Sequence, residues 1–425
     1  MGKPTASRSR SMSADPFADA TAIPDAATLQ RRALAGIAVS QLLVLTLWFS
    51  ASAVAPQLQT AWDLSVGEIA WLTLTVQIGF VVGAVGIAMA GIADTVPARR
   101  LFLIAALAGA GLNMGLLFIG SSALWFAFAL RFLTGVALAG VYPSGLKVMA
   151  GWFRRGRGMA LGVLVGALTV GSAGPHLIRG IGFDWQGVIA GASVLAAIGA
   201  FLLWFTVADG PYDTASPKFS WNQIGIVVRN KGVRLSTYGY LGHMWELYAM
   251  WTWTAAFLAA SATAGGWGDG WVPTATFVII AIGGLGAWLA GVAADRNGRT
   301  LVAGWSMAIS GTAALLTPFV FGRHPALVVA LFLVWGLSVV ADSAQFSAMV
   351  TETSEPTYRG TSLTLQTGLG FLLTLVTIRG VPEIADAVGW QWAFPWLAIG
   401  PALGVVAMVI LRRSPEASEL AGGRG

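Results

Sequence analysis

His243 and Glu246 stand three residues apart in an apolar run, so on a helix they share one face. A histidine and a carboxylate at that spacing can take up, hold and pass a proton. Two more ionisable residues, Arg131 and Asp342, interrupt apolar runs of their own. An ionisable group in such a run is costly in hydrocarbon and faces a cavity or a partner. At a rise of about 1.5 Å per residue, Glu246 lies about 16 Å into its run, the middle of a core about 30 Å thick. Arg131 lies about 12 Å below the far end of its run, a comparable depth, and Asp342 about 24 Å from the same side, toward the opposite mouth.

Other chemistries lack their residues. Cysteine is absent, so disulfides and thiolate metal sites are impossible. His176, His243 and His324 have no ligand spacing between them, and the only Gly-Lys pair, Gly2-Lys3, opens no phosphate-binding loop. No enzyme activity, metal or cofactor is expected.

The elements that hold these residues must be membrane helices. The chain is 56% hydrophobic and 10% charged, with a mean hydropathy of +0.72. Soluble domains carry roughly 25% charged residues. Those figures exclude a soluble enzyme, a nucleic-acid binder and a disordered scaffold. The sequence pI near 10.0 then reads as basic loops on one membrane face.

Residues 1–32, rich in Ser, Ala, Asp and Pro, read as a disordered cytoplasmic tail without a signal peptide's apolar centre. Apolar runs follow at 34–55, 68–90, 101–120, 123–149, 158–178 and 188–207. After the polar, basic stretch 209–234 come 235–260, 272–293, 301–321, 326–349, 361–379 and 391–411. The expected fold is an all-α membrane protein of twelve transmembrane helices. It divides into a six-helix bundle at 33–208, a cytoplasmic linker at 209–234, a second bundle at 235–413 and a tail at 414–425.

Twenty Lys and Arg fall on the face holding both termini, and three (Arg179, Arg323 and Arg379) on the other. Positive charge is retained in the cytoplasm, so both termini are expected there, in a multi-pass protein of the cell membrane. The halves also repeat. The segment ending at Asp94 recurs at Asp295, and that ending at Gly135 recurs at Gly336, both 201 residues on; Arg157-Gly158 recurs 202 residues on as Arg359-Gly360. Six spans per half give both halves one orientation, hence a pseudo-two-fold axis along the membrane normal.

The sharpest motif is Gly291-Val-Ala-Ala-Asp295-Arg296-Asn-Gly298-Arg299 between spans eight and nine. It resembles the signature loop of the major facilitator superfamily, Gly-x-x-x-Asp-Arg-x-Gly-Arg. The first-half copy keeps Asp94 but displaces its basic pair to Arg99 and Arg100, and has Ala90 and Pro97 where glycines are expected. Span four carries Arg131-Phe-Leu-Thr-Gly135, similar to the family's proton-linked Arg-x-x-x-Gly motif, and Tyr142-Pro143, similar to a stretch of its anion-transporting branches.

The resemblance implies a secondary transporter whose spans one, four, seven and ten line a cavity. On that reading Arg131, His243 and Tyr142 contact a small organic or inorganic anion, and Glu246 and Asp342 carry the coupling proton. Asp94, Arg99, Arg100, Gly291, Asp295, Arg296, Gly298 and Arg299 would form the cytoplasmic gating loops. The expected partners are a small-molecule substrate, the proton and the bilayer, with no nucleic acid and a monomeric chain. Two alternatives stay open. A proton-driven multidrug-type exporter would need a complete Gly-rich motif in span five, where only Gly162, Gly166, Gly171 and Gly174-Pro175 stand. A transporter-like sensor or assembly protein would no longer cycle.

Overall fold

The computed structural model describes residues 26–120, 123–153, 157–212 and 220–425, among which the regular structure is helical throughout. Among the described residues ten helices are long and apolar enough to cross a membrane. They are α2 (Val66–Met89), α3 (Ala98–Phe118), α4 (Leu124–Trp152), α5 (Met159–Gly180) and α6 (Trp185–Thr206) in the first half. In the second half they are α8 (Val272–Asn297), α9 (Arg299–Val320), α10 (Pro325–Thr353), α11 (Arg359–Val388) and α12 (Trp390–Arg412). Two more polar helices, α1 (Ala26–Leu45) and α7 (Lys231–Ala264), occupy the places of spans one and seven. α1 opens with Gln30, Arg31 and Arg32, and α7 carries Lys231, Arg234, His243 and Glu246, which dilute the apolar content.

Helix starts follow local chemistry. Ser65 and Glu68 form a reciprocal capping box at α2, Asp184 accepts from the Gly187 N–H at 2.7 Å to start α6, and Asn230 accepts from Val233 at 3.0 Å to start α7. The last cap extends α7 four residues into the expected linker. α1 likewise already runs at Ala26, inside the expected tail. Two helices break within the apolar zone: the chain unwinds after Leu45 through Ala51, and α10 interrupts at Val340–Asp342. Unwound backbone at that depth is tolerated where it is buried in protein or lines a cavity.

The same pairings recur in both halves: α2 on α4, α3 on α4 and α6, and α1 on α5 and α6 are matched by α8 on α10, α9 on α10 and α12, and α7 on α11 and α12. Two of the repeated glycines explain the closest of these. A Cβ on Gly135 would overlap the Val76 carbonyl oxygen, and one on Gly336 would overlap that of Ile279. Small residues there let the backbones touch, the usual means of packing helices in lipid.

The halves meet along α5 and α8, where Gly180 faces Thr274, Gly166 faces Gly284 and Gly162 faces Ala287. They also meet along α2 and α11, where the Arg379 side chain lies over Gly67.

Candidate functional site

Arg131 is fully buried and serves as the hub of the first half. Its guanidinium reaches the unwound stretch after α1, with Nη1 donating to the Leu47 oxygen at 3.0 Å and to Ser50 Oγ at 3.1 Å, and Nη2 donating to the Trp48 oxygen at 2.6 Å. Nε donates to the Leu72 oxygen of α2 at 3.2 Å, and Nη1 also reaches Asn113 Oδ1 of α3 at 3.0 Å. Asn113 continues the network to Ser193 of α6 at 2.9 Å. One planar cation thus satisfies the carbonyls that the break in α1 sets free, which a flexible ammonium could not do with its three donors.

The second half gathers the other ionisable residues. His243 Nδ1 lies 2.8 Å from Asp342 Oδ1, both groups buried, with Asp342 at the break in α10. One turn along α7, Glu246 accepts hydrogen bonds from Ser310 Oγ of α9 and, at 3.2 Å, from Trp335 Nε1 of α10. Glu246 and Asp342 lie within electrostatic reach of each other. The structure therefore brings His243, Glu246 and Asp342 together, whereas Arg131 finds its partners in the other half.

Aromatic rings fill the middle level between the halves. Trp48, in the unwound stretch, lies with ring centroids 4.9 Å from Phe80, 5.9 Å from Tyr248 and 5.7 Å from Phe371. Phe49 meets Tyr248 and Trp251 at 6.0 and 5.8 Å. Tyr142 of α4 is half-buried and within electrostatic reach of Tyr240 and Tyr248 on α7.

The gating loops are built unequally. Arg299 grips Glu352 at the end of α10 with Nε and Nη2, at 2.7 to 3.0 Å, and Gln345 with Nη1 at 3.0 Å. Gly298 has φ +94, a conformation open to glycine, and a Cβ there would also overlap the Gly425 and Arg424 carbonyl oxygens. Those contacts belong to the segment 414–425, the expected tail. It straps the second half: Ala421 N–H donates to Glu352 at 3.1 Å, Arg424 donates to the Asp295 main-chain oxygen, and Thr300 Oγ1 donates to the Gly425 oxygen at 2.7 Å.

Leu420 is fully buried beneath this strap. Gly291 is half-buried, and Arg296 and Asp295 are exposed; the Asp295 carboxylate has no hydrogen-bonded or ionic partner among the described residues. In the first half Arg99 donates to the Trp204 oxygen at 2.7 Å and lies 3.6 Å from Asp209, while Arg100 is exposed. The Asp94 side chain lies outside the described residues.

Sequence reasoning passed over Asn113, Ser310, Trp335 and Glu352. Asn113 could have been found as the lone amide of an apolar run. Glu352 has Gly151 as its repeat mate, 201 residues back, so the repeat gave it no signal.

A helical membrane protein with ionisable groups buried inside each half, and an aromatic, glycine-lined seam between the halves, is built as a transporter. The chain matches the family model of the Major Facilitator Superfamily over residues 37–280, more than half its length, and it belongs to that superfamily. It is a transporter and not an enzyme. It is similar to a putative glycerol-3-phosphate transporter 4 of Arabidopsis thaliana, 27% identical over 143 residues, which are 32% of this chain and 26% of that protein. Among solved structures, a mutant of the nucleoside transporter NupG aligns with a TM-score of 0.65 at 14% identity, over 90% of this chain and 99% of that one. That likeness is one of fold.

Proposed function

We propose that this transporter is proton-coupled and works by alternating access, with twelve spans around a pseudo-two-fold axis and both termini in the cytoplasm of a cell-membrane protein. The observation that carries the coupling is the cluster of His243, Asp342 and Glu246. A protonated Glu246 sits in apolar surroundings without charge. Losing its proton there would leave a carboxylate with two neutral donors and no cation beside it, a costly state in lipid. Release is therefore tied to a rearrangement that admits water or brings up the neighbouring imidazole. The pair His243–Asp342 at the α10 break supplies both the acceptor and the hinge.

An anionic substrate would need a cation free to meet it. Arg131 was its expected holder, and that guanidinium is spent on five acceptors of its own half. The geometry favours a positioning role for Arg131, keeping the unwound stretch after α1 in shape.

The test uses proteoliposomes containing a pH-sensitive dye, challenged with inorganic phosphate, glycerol 3-phosphate, uracil, adenosine and mannitol. At least one compound should move protons with it, and Glu246→Gln and Asp342→Asn should abolish that movement while exchange at equal pH survives. Transport of a compound by the parent without proton movement, and unaffected by a pH gradient, would overturn the coupling.

A further inference from the structure

The seam between the halves carries a second pattern, made of polar atoms without a hydrogen-bond partner among the described residues. The indole N–H groups of Trp48 and Trp251 are both buried and unpartnered. So are both amide atoms of Gln77 on α2, a side chain with no exposure. Thr73, Gln77 and Phe80 share one face of α2: Thr73 bonds Ser52 at 2.6 Å, and Phe80 meets Trp48 and Phe371. Gln77 therefore lies between them, against the same unwound stretch that bears Trp48. On α11, Gln366 is buried with both amide atoms unpartnered, one turn before Gly370, which touches Tyr240 and Met244 of α7.

Buried polar groups are nearly always satisfied, and each exception needs a reason. Arg131 and Asn113 are fully partnered by contrast, while Ser40, Gln41 and His176, on α1 and α5 of the first half, carry further unpartnered atoms. The exceptions at the seam come from both halves, and all are neutral: two indole donors and two amides, each amide with donors and an acceptor. The charged groups named at this depth are committed, Arg131 to main-chain and side-chain oxygens, Glu246 to Ser310 and Trp335, and Asp342 to His243. A charged ligand pressed among these rings would meet no uncommitted opposite charge of that set and would lose its hydration. The surrounding surfaces are aromatic faces, which favour a flat ring stacked or set edge-on.

We propose that the substrate is an uncharged, flat compound with hydrogen-bonding edges, held at the seam by Gln77, Trp48 and Trp251 among the rings of Phe80, Tyr248 and Phe371. This rests on the transport reading and names its substrate class. Binding requires the rings to part, so the site forms as the halves separate at this level.

The experiment measures ligand-induced thermal stabilisation of the full chain in detergent, followed by radiolabelled counterflow in proteoliposomes. The probes are uracil, nicotinamide and adenosine (flat and uncharged), mannitol (uncharged, not flat), benzoate (a flat anion) and inorganic phosphate. Stabilisation is expected from at least one flat uncharged probe and not from benzoate or phosphate. Gln77→Leu and Trp48→Phe, which keep volume or ring, should each weaken that binding by roughly tenfold while leaving the unliganded melting temperature near the parent's. Stabilisation by the anions alone, by mannitol alone or by no probe would overturn the proposal. So would binding of a flat probe that neither variant weakens, for the seam would then be a gate only. Counterflow separates the two readings. A bound flat probe that is not carried across sinks transport and spares the substrate class, whereas carriage of phosphate or benzoate does the reverse.

Discussion

Replacing Arg131 discriminates between a residue that holds substrate and one that holds the protein. Arg131→Met removes the donors to the Leu47, Trp48 and Leu72 carbonyls, Ser50 and Asn113. A buried acceptor left without its donor costs about 1–3 kcal/mol, so three carbonyls alone set a range of roughly 3–9 kcal/mol. The Leu47 oxygen keeps a bond from Ser50 at 3.1 Å, and the backbone can relax, which brings the expected loss to about 3–5 kcal/mol, that of breaking a buried charged contact. Arg131→Lys retains charge and three donors for five acceptors, so about 2–4 kcal/mol should be lost.

The natural absence of cysteine gives a clean background for the second readout. Ala53→Cys, in the buried turn Ser52–Val54 beyond the break, should be shielded from an impermeant maleimide in the parent and become reactive when combined with Arg131→Lys. Melting temperatures should fall in the order parent, Lys variant, Met variant. If Arg131→Lys left melting and labelling unchanged yet weakened anion binding, the positioning argument would be wrong and Arg131 would be the substrate's cation.

Gly135→Ala and Gly336→Ala should each lower stability by about 1–3 kcal/mol, the usual cost of overpacking, because each new methyl meets a backbone oxygen; thermal unfolding in detergent checks this, and a neutral result at both would show that the close approaches are soft. The double variant Gly180→Cys/Thr274→Cys, across the α5–α8 seam, should cross-link readily and stop counterflow until reduced; unimpeded flux with the bond intact would mean that this seam does not open. Glu416 of the strap lies 3.6 Å from Lys231, and a hydrogen bond from its own backbone N–H, then one from Ser414, hold its carboxyl below the ordinary range. Its contribution is thus complete above the ordinary carboxyl range and fades as pH falls through the lower folded value. Proteolysis of residues 415–425 by a protease active across that range should quicken only in acid, and release already between neutrality and the carboxyl range would contradict this account.

Much of the architecture was legible because lipid punishes polar residues. Apolar runs marked the helices, and a lone Glu246 or Asp342 within them was conspicuous by its cost. Gly135 and Gly336 were visible as a repeated spacing, and the backbone contacts at Val76 and Ile279 supply the reason. What the sequence could not convey was direction around a helix. Rise per residue put Arg131 and Glu246 at like depth, but depth says nothing of which neighbour a side chain turns toward, and the two turned into different halves. Neither break in a helix has a glycine or proline to announce it: Thr46–Ala51 reads TLWFSA and Val340–Asp342 reads VAD. The strap was hidden for another reason. Its composition is that of a solvated tail, and only Leu420 is an apolar anchor large enough to bury.

The placement of polar contacts also bears on motion. Directional bonds join helices within each half: Arg131 and Asn113 tie α1, α2, α3, α4 and α6, while Glu246 and Asp342 tie α7, α9 and α10. The seam is made of glycines and aromatic faces instead. In lipid such a seam has no hydrophobic drive holding it shut, only packing. Dispersion between rings changes gradually as they slide, whereas a buried ion pair must be broken outright. Two stiff bodies joined by a seam of that kind can therefore rock without first breaking the networks that define them. The strap adds to the directional bonds of one body: it ties the α8–α9 loop to the end of α10, within the half that carries His243, Glu246 and Asp342.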